Sequence, residues 1–376
     1  DKHTLTAYLA FMPEEMKVKT GGKFTVMLMG DKTYLAETTI DGGKTYAAGM
    51  RYTAVVDGTS MKWEEKAVMI FTVRPVGDQF NIPFPESGTT PAELTVDWGD
   101  GTTPTTVASG TALSSKDAFC HSYPLTYVNY NIIITSGQTD KTLQQIPPFG
   151  YSNRRDSRGK LVSIDTPLLN TAETDFGSCF NGYISLQSIP EDLFANNPQA
   201  TDFRDCFNKT LLQSVPEGLF ANNPQATNFR DCFSGTSLQS VPEGLFANNT
   251  QAMNFSYCFF GTPLQSVPES LFANNTQVTN FKECFKDCTS LESVPTGLFA
   301  NSPQVTDFSG CFEGCTALQS LPSGLFASTA ATDFNCFYRC TSLRSIPADL
   351  LAKLPAVTSL SGCFSGCTAL RSIPAG

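Results

Sequence analysis

The chain has 376 residues, enough for two or three domains, with an ordinary apolar fraction of 41% and a low charged fraction of 16%. Its net charge of −10 is unevenly placed: residues 1–160 hold 16 Lys+Arg against 17 Asp+Glu, net −1, and residues 161–376 hold 9 against 18, net −9. So acidic a C-terminal half repels phosphate backbones and argues against a nucleic-acid partner.

The first 140 residues read as all-β. The runs KFTVMLM, TYLAETTI, MRYTAVV and AVMIFTV are β-prone and are separated by GG, DG and GD turns. The last of them, at 67–73, is the longest apolar run, and it is far shorter than the roughly 20 residues a membrane-crossing helix needs. The chain starts at Asp1 without a signal peptide, so it reads as a mature or trimmed form whose targeting segment has been removed. A boundary follows the charged MKWEEK near 64–67, and a second follows SGQTDKTLQQIPP near 140–145. In the second module, LTVDWGDGT at 94–102 is followed by CHSYP and YVNYNIIIT at 120–135. These words resemble the W-G-D-G-T, H-x-Y and Y-x-V-x-I pattern of polycystic-kidney-disease (PKD)-like β-sandwiches. The resemblance implies that Trp98 and His121 pack in a sandwich core over 65–140, with Asp100-Gly101 supplying a tight turn; Asn129 stands where the family carries Gly. GGKTYAAGMRYTAVV at 42–56 resembles the end of a fimbrillin-like domain, and 1–64 reads as that fragment or as a small immunoglobulin-like sandwich. The basic stretch YSNRRDSRGK at 151–160 reads as a surface loop within a 141–160 cap.

From Leu161 the chain repeats. The word L-x-S-[IVL]-P begins at Leu186, Leu212, Leu238, Leu264, Leu291, Leu318, Leu343 and Leu370, after a degenerate LVSID at Leu161, in steps of 25 to 27 residues. F-x-x-C-F keeps the same step, and LFANN or a variant lies between. A period in the twenties signals stacked units that bury a shared core. L-x-S-V suits one rung of a parallel ladder, and the Pro after it ends the rung. P-E-G-L-F-A-N-N suits a short helix with Leu and Phe inward. The apolar spacing Val278–Phe281–Cys284–Phe285–Cys288 fits either a short helix or an arc of irregular backbone. CFKDCTSLESVP and CFSGCTALRSIP resemble the A-F-x-x-C-x-x-L-x-x-I-x-I-P pattern of BspA-like bacterial leucine-rich repeats, with Cys in place of the usual Ala and a longer unit. The fold expected is therefore two β-sandwich modules followed by a leucine-rich-repeat α/β solenoid over 141–376, with about eight units. The resemblance implies a Bacteroidetes-type surface lipoprotein, exported to the cell surface or outer membrane. It would be a monomer, peripherally anchored through an N-terminal lipid segment.

Cysteine pairs such as Cys284/Cys288 invite a metal, redox or disulfide reading. Tetrahedral zinc wants four ligands, commonly Cys with His. Earlier units replace the second Cys by Thr, and the two histidines, His3 and His121, lie outside the repeats. Redox chemistry uses C-x-x-C at a helix start, and an apolar setting makes a thiol inert. Stacked rungs about 5 Å apart would allow a disulfide by distance, but a ladder points its Cβ vectors the same way. The expectation is a reduced core ladder of Cys179, Cys206, Cys232, Cys258, Cys284, Cys311, Cys336 and Cys363. With no G-x-S-x-G, HExxH or glycine-rich phosphate loop, the reading is non-enzymatic, with no catalytic residue, metal or cofactor. Two exposed columns are candidate binding faces, the second preferred because its charges vary more from unit to unit. One is the x of L-x-S: Gln213, Gln239, Gln265, Glu292, Gln319 and Arg344, preceded by Gln187. The other precedes the Cys: Arg204/Asp205, Arg230/Asp231 and Lys282/Glu283. The expected partner is a protein rather than a glycan, and a structural or pilus-associated spacer is a further alternative.

Overall fold

The computed structural model describes the strands within 1–67 and residues 68–77, 79–84, 88–136, 158–168, 174–326, 330–332, 334–352, 354 and 356–373. The basic stretch up to residue 157 and most of the 141–160 cap lie outside the described residues. Within 1–67 the β-prone runs form β1 (Thr6–Tyr8), β2 (Met16–Lys17), β3 (Lys23–Leu28), β4 (Tyr34–Thr39), β5 (Thr45–Tyr46), β6 (Thr53–Val55) and β7 (Glu64–Glu65). They pair antiparallel as β1–β6, β2–β5 and β3–β4–β7.

The middle of the chain supplies β8 (Val68–Val73), β9 (Gln79–Asn81), β10 (Leu94–Asp97), β11 (Thr105–Val107), a single-turn α1 (Lys116–Phe119), β12 (Cys120–Ser122) and β13 (Tyr130–Ser136). β14 (Leu161–Ile164) completes a five-stranded antiparallel sheet of order β11-β10-β13-β8-β14, and β9 pairs with β12 in a second sheet. Inward residues alternate along β8 and β13, as a half-buried strand requires. Phe71 meets Phe80 across the core at 6.2 Å, and Phe84 meets Phe119 edge-on at 5.0 Å. Trp98 is buried, and its indole N–H donates to Thr105 Oγ1 at 2.9 Å. Gly99 has φ +76, and a Cβ there would sit 2.3 Å from the Asn131 carbonyl oxygen, so the WGDG turn admits no side chain at that point. His121 stacks on Trp98 at 4.8 Å and lies in hydrogen-bond contact with Asp100 at 2.7 Å.

β14 joins this module to the repeats. On one side it pairs antiparallel with β8 (Leu161 opposite Val73). On the other, Gln187 N–H donates to Val162 O at 2.8 Å and Ile164 N–H donates to Ser188 O at 3.2 Å, which makes the first L-x-S word a parallel neighbour. The LVSID copy thus belongs to both parts.

The α/β solenoid expected from the sequence is corrected here. The described chain is nearly all β and turn, its named sheets are antiparallel, and past residue 160 the one α-helix of a full turn is α2 (Asp349–Ala352). The P-E-G-L-F-A-N-N segment makes isolated i→i+3 turns instead of a helix: Leu219 N–H to Pro216 O, Ala221 N–H to Gly218 O and Asn223 N–H to Phe220 O. Eight residues containing Gly and two Asn are too few to repay helix nucleation. The carbonyls that a helix would use are also taken by the next rung. Asn223 Nδ2 donates to Phe194 O and Asn197 O, Asn249 to Phe220 O and Asn223 O, and Asn275 to Phe246 O and Asn249 O, all at 2.8–3.1 Å and fully buried. The F-x-x-C-F segment is the irregular arc. Alternate N–H groups (Phe203, Asp205, Phe207, Lys209) donate to the next rung's Asn228, Arg230, Cys232 and Ser234 carbonyls at 2.8 Å. The intervening Cys206 and Asn208 N–H groups close i→i+3 turns on Phe203 and Asp205.

That lateral bonding stacks like on like. Three columns of phenylalanine run through the interior, with members such as Phe203/Phe229, Phe207/Phe233 and Phe220/Phe246, their rings 5.6–5.9 Å apart and 4–11° from parallel. Each buried aromatic removes a large apolar surface from water. Asn249→Ala is expected to lower unfolding stability by about 1–3 kcal/mol, because two buried carbonyls, Phe220 O and Asn223 O, each lose one of their two donors. Asn248→Ala, which removes one exposed bond to Ala221 O, is expected to cost under about 1 kcal/mol. Urea titration checks the pair; equal losses would remove the buried column as the determinant.

Candidate binding faces of the repeat stack

The Gln column follows directly from the parallel ladder. Leu212, Leu238 and Leu264 point inward and are buried, while the following Gln213, Gln239 and Gln265 are exposed, as are Gln187, Glu292, Gln319 and Arg344. Their backbones are chained: Gln239 N–H to Gln213 O, Gln265 to Gln239, Glu292 to Gln265, Gln319 to Glu292 and Arg344 to Gln319, at 3.0–3.4 Å. The Ser after each of them is also exposed. The result is one uniform polar strip on a fixed backbone, turning acidic at Glu292 and basic at Arg344.

The second column sits on the arc and has a different character. Asp205, Asp231 and Glu283 all have positive φ, between 53° and 54°, and Ser178, Tyr257 and Gly310 hold the same place in other units. A second left-handed position follows four residues on, at Lys209, Gly235, Gly261, Asp287 and Gly314. Asp and Asn tolerate this backbone better than most residues, and Gly carries no penalty there. The charges also satisfy one another. Arg204 reaches Asp175 at 2.9 Å and Asp202 at 3.1 Å, and Arg230 reaches Asp231 at 3.1 Å and lies over the Tyr257 ring. Lys286 bridges Glu283 at 3.0 Å and Glu313 at 3.2 Å; these contacts outweigh its burial and hold its ammonium above the ordinary Lys value. Burial pushes the Asp205 and Asp231 carboxyls up against the opposing pull of their arginines. Lys282 is half-buried, and its N–H is held by Asn280 Oδ1 at 2.8 Å. Exposed pairs of this kind contribute at most about 1 kcal/mol each.

A third column escaped the sequence reading. Asp175, Asp202, Asn228, Asn254, Asn280 and Asp307 make single parallel bridges from rung to rung, and each side-chain oxygen accepts from the N–H two residues on, at 2.7–3.1 Å. The signal was present as Asp or Asn immediately before every F-x-x-C, and it marks an Asx turn.

The cysteines lie inside. Cys206, Cys232, Cys258, Cys284, Cys311, Cys336 and Cys363 have no exposure, and Cys179 has 2%. In the shorter second column Cys288, Cys315, Cys340 and Cys367 donate S–H to the preceding rung's Phe259, Phe285, Phe312 and Phe337 carbonyls at 3.1–3.2 Å. Where Thr replaces Cys, Thr236 and Thr262 bond Phe233 and Phe259 of their own rung. Among the described residues no group of three or more His, Cys, Asp or Glu is placed to hold a metal ion. Burial pushes the Cys288 and Cys363 thiols up to about 12 and that of Cys311 to about 11, and it drives Cys206, Cys232, Cys258 and Cys284 well above the ordinary thiol range.

No family model and no curated protein matches the chain. Among solved structures it is similar to one described as "Structure of the Toll - Spatzle complex, a molecular hub in Drosophila development and innate immunity", with 19% identity and a TM-score of 0.22. The match covers 48% of this chain and 29% of that one, and at this TM-score it carries no argument.

Two outcomes follow from these environments. Asp231→Gly is expected to be more stable than Asp231→Ala by about 1 kcal/mol, because only Gly sits without strain at φ 53°; thermal melts of the two variants compare them. The thiols set an alkaline limit. A group whose folded value is raised contributes stability that is complete below the unfolded-chain value, about 8.5, and that is lost as pH rises toward the folded value. Stability of the repeats should therefore fall between that point and the 11–12 of Cys311, Cys288 and Cys363. Denaturation midpoints against pH read this directly, and a flat profile across that window would show that the thiols ionise freely in the folded chain.

Proposed function

We propose that the repeat stack is the ligand-binding part of a non-enzymatic, exported cell-surface protein and that its Gln column meets a protein ligand. The observation that carries this reading is the contrast between the two exposed columns. Arc charges are partly spent on one another, Arg204 on Asp175 and Lys286 on Glu313 across rungs and Arg230 on Asp231 within one, whereas the side chains from Gln187 to Arg344 stand exposed at one repeated position. A regular polar strip on a rigid support suits an extended protein surface. A glycan ligand is the weaker reading, since the stacked phenylalanines that could serve as sugar platforms are interior. The BspA-like words of the repeats favour a bacterial surface setting, with a lipid anchor on the N-terminal side of the modules.

The test is adhesion of protein-coated beads to epithelial cells, matrix proteins and neighbouring bacteria. The triple variant Gln213→Lys, Gln239→Lys, Gln265→Lys is expected to lower adhesion at least about tenfold with its unfolding midpoint kept, as replacing central interface residues does. Adhesion kept by this variant, or shown equally by a fragment ending at residue 168, would place the ligand elsewhere.

A further inference from the structure

Five of the eight large hydrophobic side chains exposed among the described residues fall along one rim of the molecule: Val76, Leu125, Tyr127, Ile184 and Leu211. The registers bring them together. Val76 follows the end of β8, and Leu125 and Tyr127 precede β13, whose Tyr130 pairs with Val73. Leu161 pairs with Val73 from the other side, and the first rung runs parallel to β14, so Ile184 enters at this same end. Leu211 enters the second rung in the same way. From β13 to the second rung is four strand spacings, roughly 19 Å.

The rim is pre-set rather than loose. Tyr127 is 71% exposed and has φ +63, which a bulky residue adopts only under constraint; its N–H donates to Pro75 O at 2.9 Å. Leu125, 60% exposed, is held by its carbonyl, which accepts from the Tyr130 hydroxyl at 3.2 Å. Cationic side chains flank the apolar ones. Arg74 is exposed and donates to Asn129 Oδ1, Lys160 donates to the Gln79 carbonyl, and Arg158 lies beside Gly182. One carboxylate lies beside these cations: Asp165, after β14, accepts from the Thr72 hydroxyl at 3.0 Å and from the Ser163 hydroxyl at 2.7 Å, while Asp97 and Asp100 lie on the far side of β13, where Asp100 is tied to His121 and Thr102.

We infer that this rim rests on an anionic lipid bilayer, with Tyr127, Leu125 and Val76 entering the headgroup region and Arg74 and Lys160 meeting the lipid charges. Tyrosine with short aliphatic neighbours is the residue set of the membrane–water interface, and basic residues near the surface attract anionic headgroups. The side chains stand as separate tips along a strip, which suits a deformable lipid surface. This contact stands apart from the Gln column and survives if that reading fails.

The experiment is co-sedimentation of the full chain with phosphatidylglycerol-containing vesicles against pure phosphatidylcholine vesicles. Binding is expected to favour the anionic vesicles and to weaken with salt. Tyr127→Gly relieves the positive φ, so the fold is kept while the ring is lost; with Leu125→Ser it should weaken binding about tenfold or more. Arg74→Gln with Lys160→Gln should weaken it about fivefold or more, for the anionic vesicles alone. Absence of binding to either vesicle, equal binding to both, or binding unchanged in Tyr127→Gly/Leu125→Ser overturns the inference.

Discussion

The repeat stack depends on one constraint: alternate backbone N–H groups of each arc must find the carbonyls of the next unit. Phe203, Asp205, Phe207 and Lys209 donate in turn to residues about 26 positions on, at 2.8 Å. Once those bonds form, the register between units is fixed, and every side chain lies over its own equivalent. A buried N–H left without an acceptor costs more than most side-chain contacts return, so the backbone sets the spacing and the side chains conform. The phenylalanine columns, the Asn column and the thiol columns are three consequences of that one register.

The same constraint explains the chemistry of the exposed arc. Donating with every second residue while turning with the others forces left-handed backbone at two places per unit. Gly and Asp fill many of those places, beside Ser178, Lys209, Tyr257 and Glu283, and the polar identity of Asp205 and Asp231 needs no ligand to account for it. Once stacked, such residues find partners above and below, as Lys286 does between Glu283 and Glu313. The Gln column sits on the straight part of the rung, where no backbone requirement selects the side chain, and its uniformity from Gln187 to Gln265 is therefore the more informative pattern.

The period and the inward Leu, Phe and Cys positions were legible because each recurs at a fixed place in eight units, and the outward Gln because it recurs in five of them. The secondary structure between them was not. P-E-G-L-F-A-N-N carries helix-start and helix-stop residues, but its second Asn serves the rung before it, and a contact across 26 residues leaves no trace in local propensity. The i, i+3, i+7 spacing at Val278–Cys288 likewise arises from successive tight turns, which bring apolar residues to one side much as a helix would. The Asp or Asn before each F-x-x-C was visible in the sequence, and its Asx-turn meaning follows from side-chain chemistry alone. Strand β14 was the hardest to place: LVSID reads as a degenerate repeat, and only its pairing with β8 shows that it also closes a sheet begun ninety residues earlier.

That double role has a physical consequence for how the faces are presented. A stack of identical rungs has no intrinsic starting register, and its first unit would expose donors and acceptors with nothing to meet them. β8 supplies the missing neighbour. It fixes Leu161 against Val73, β14 fixes Gln187 over Val162, and each rung fixes the one after it. The rungs are thereby tied through backbone hydrogen bonds to the five-stranded sheet, from β14 to the first rung at Gln187 and from the first rung to the second along the arc.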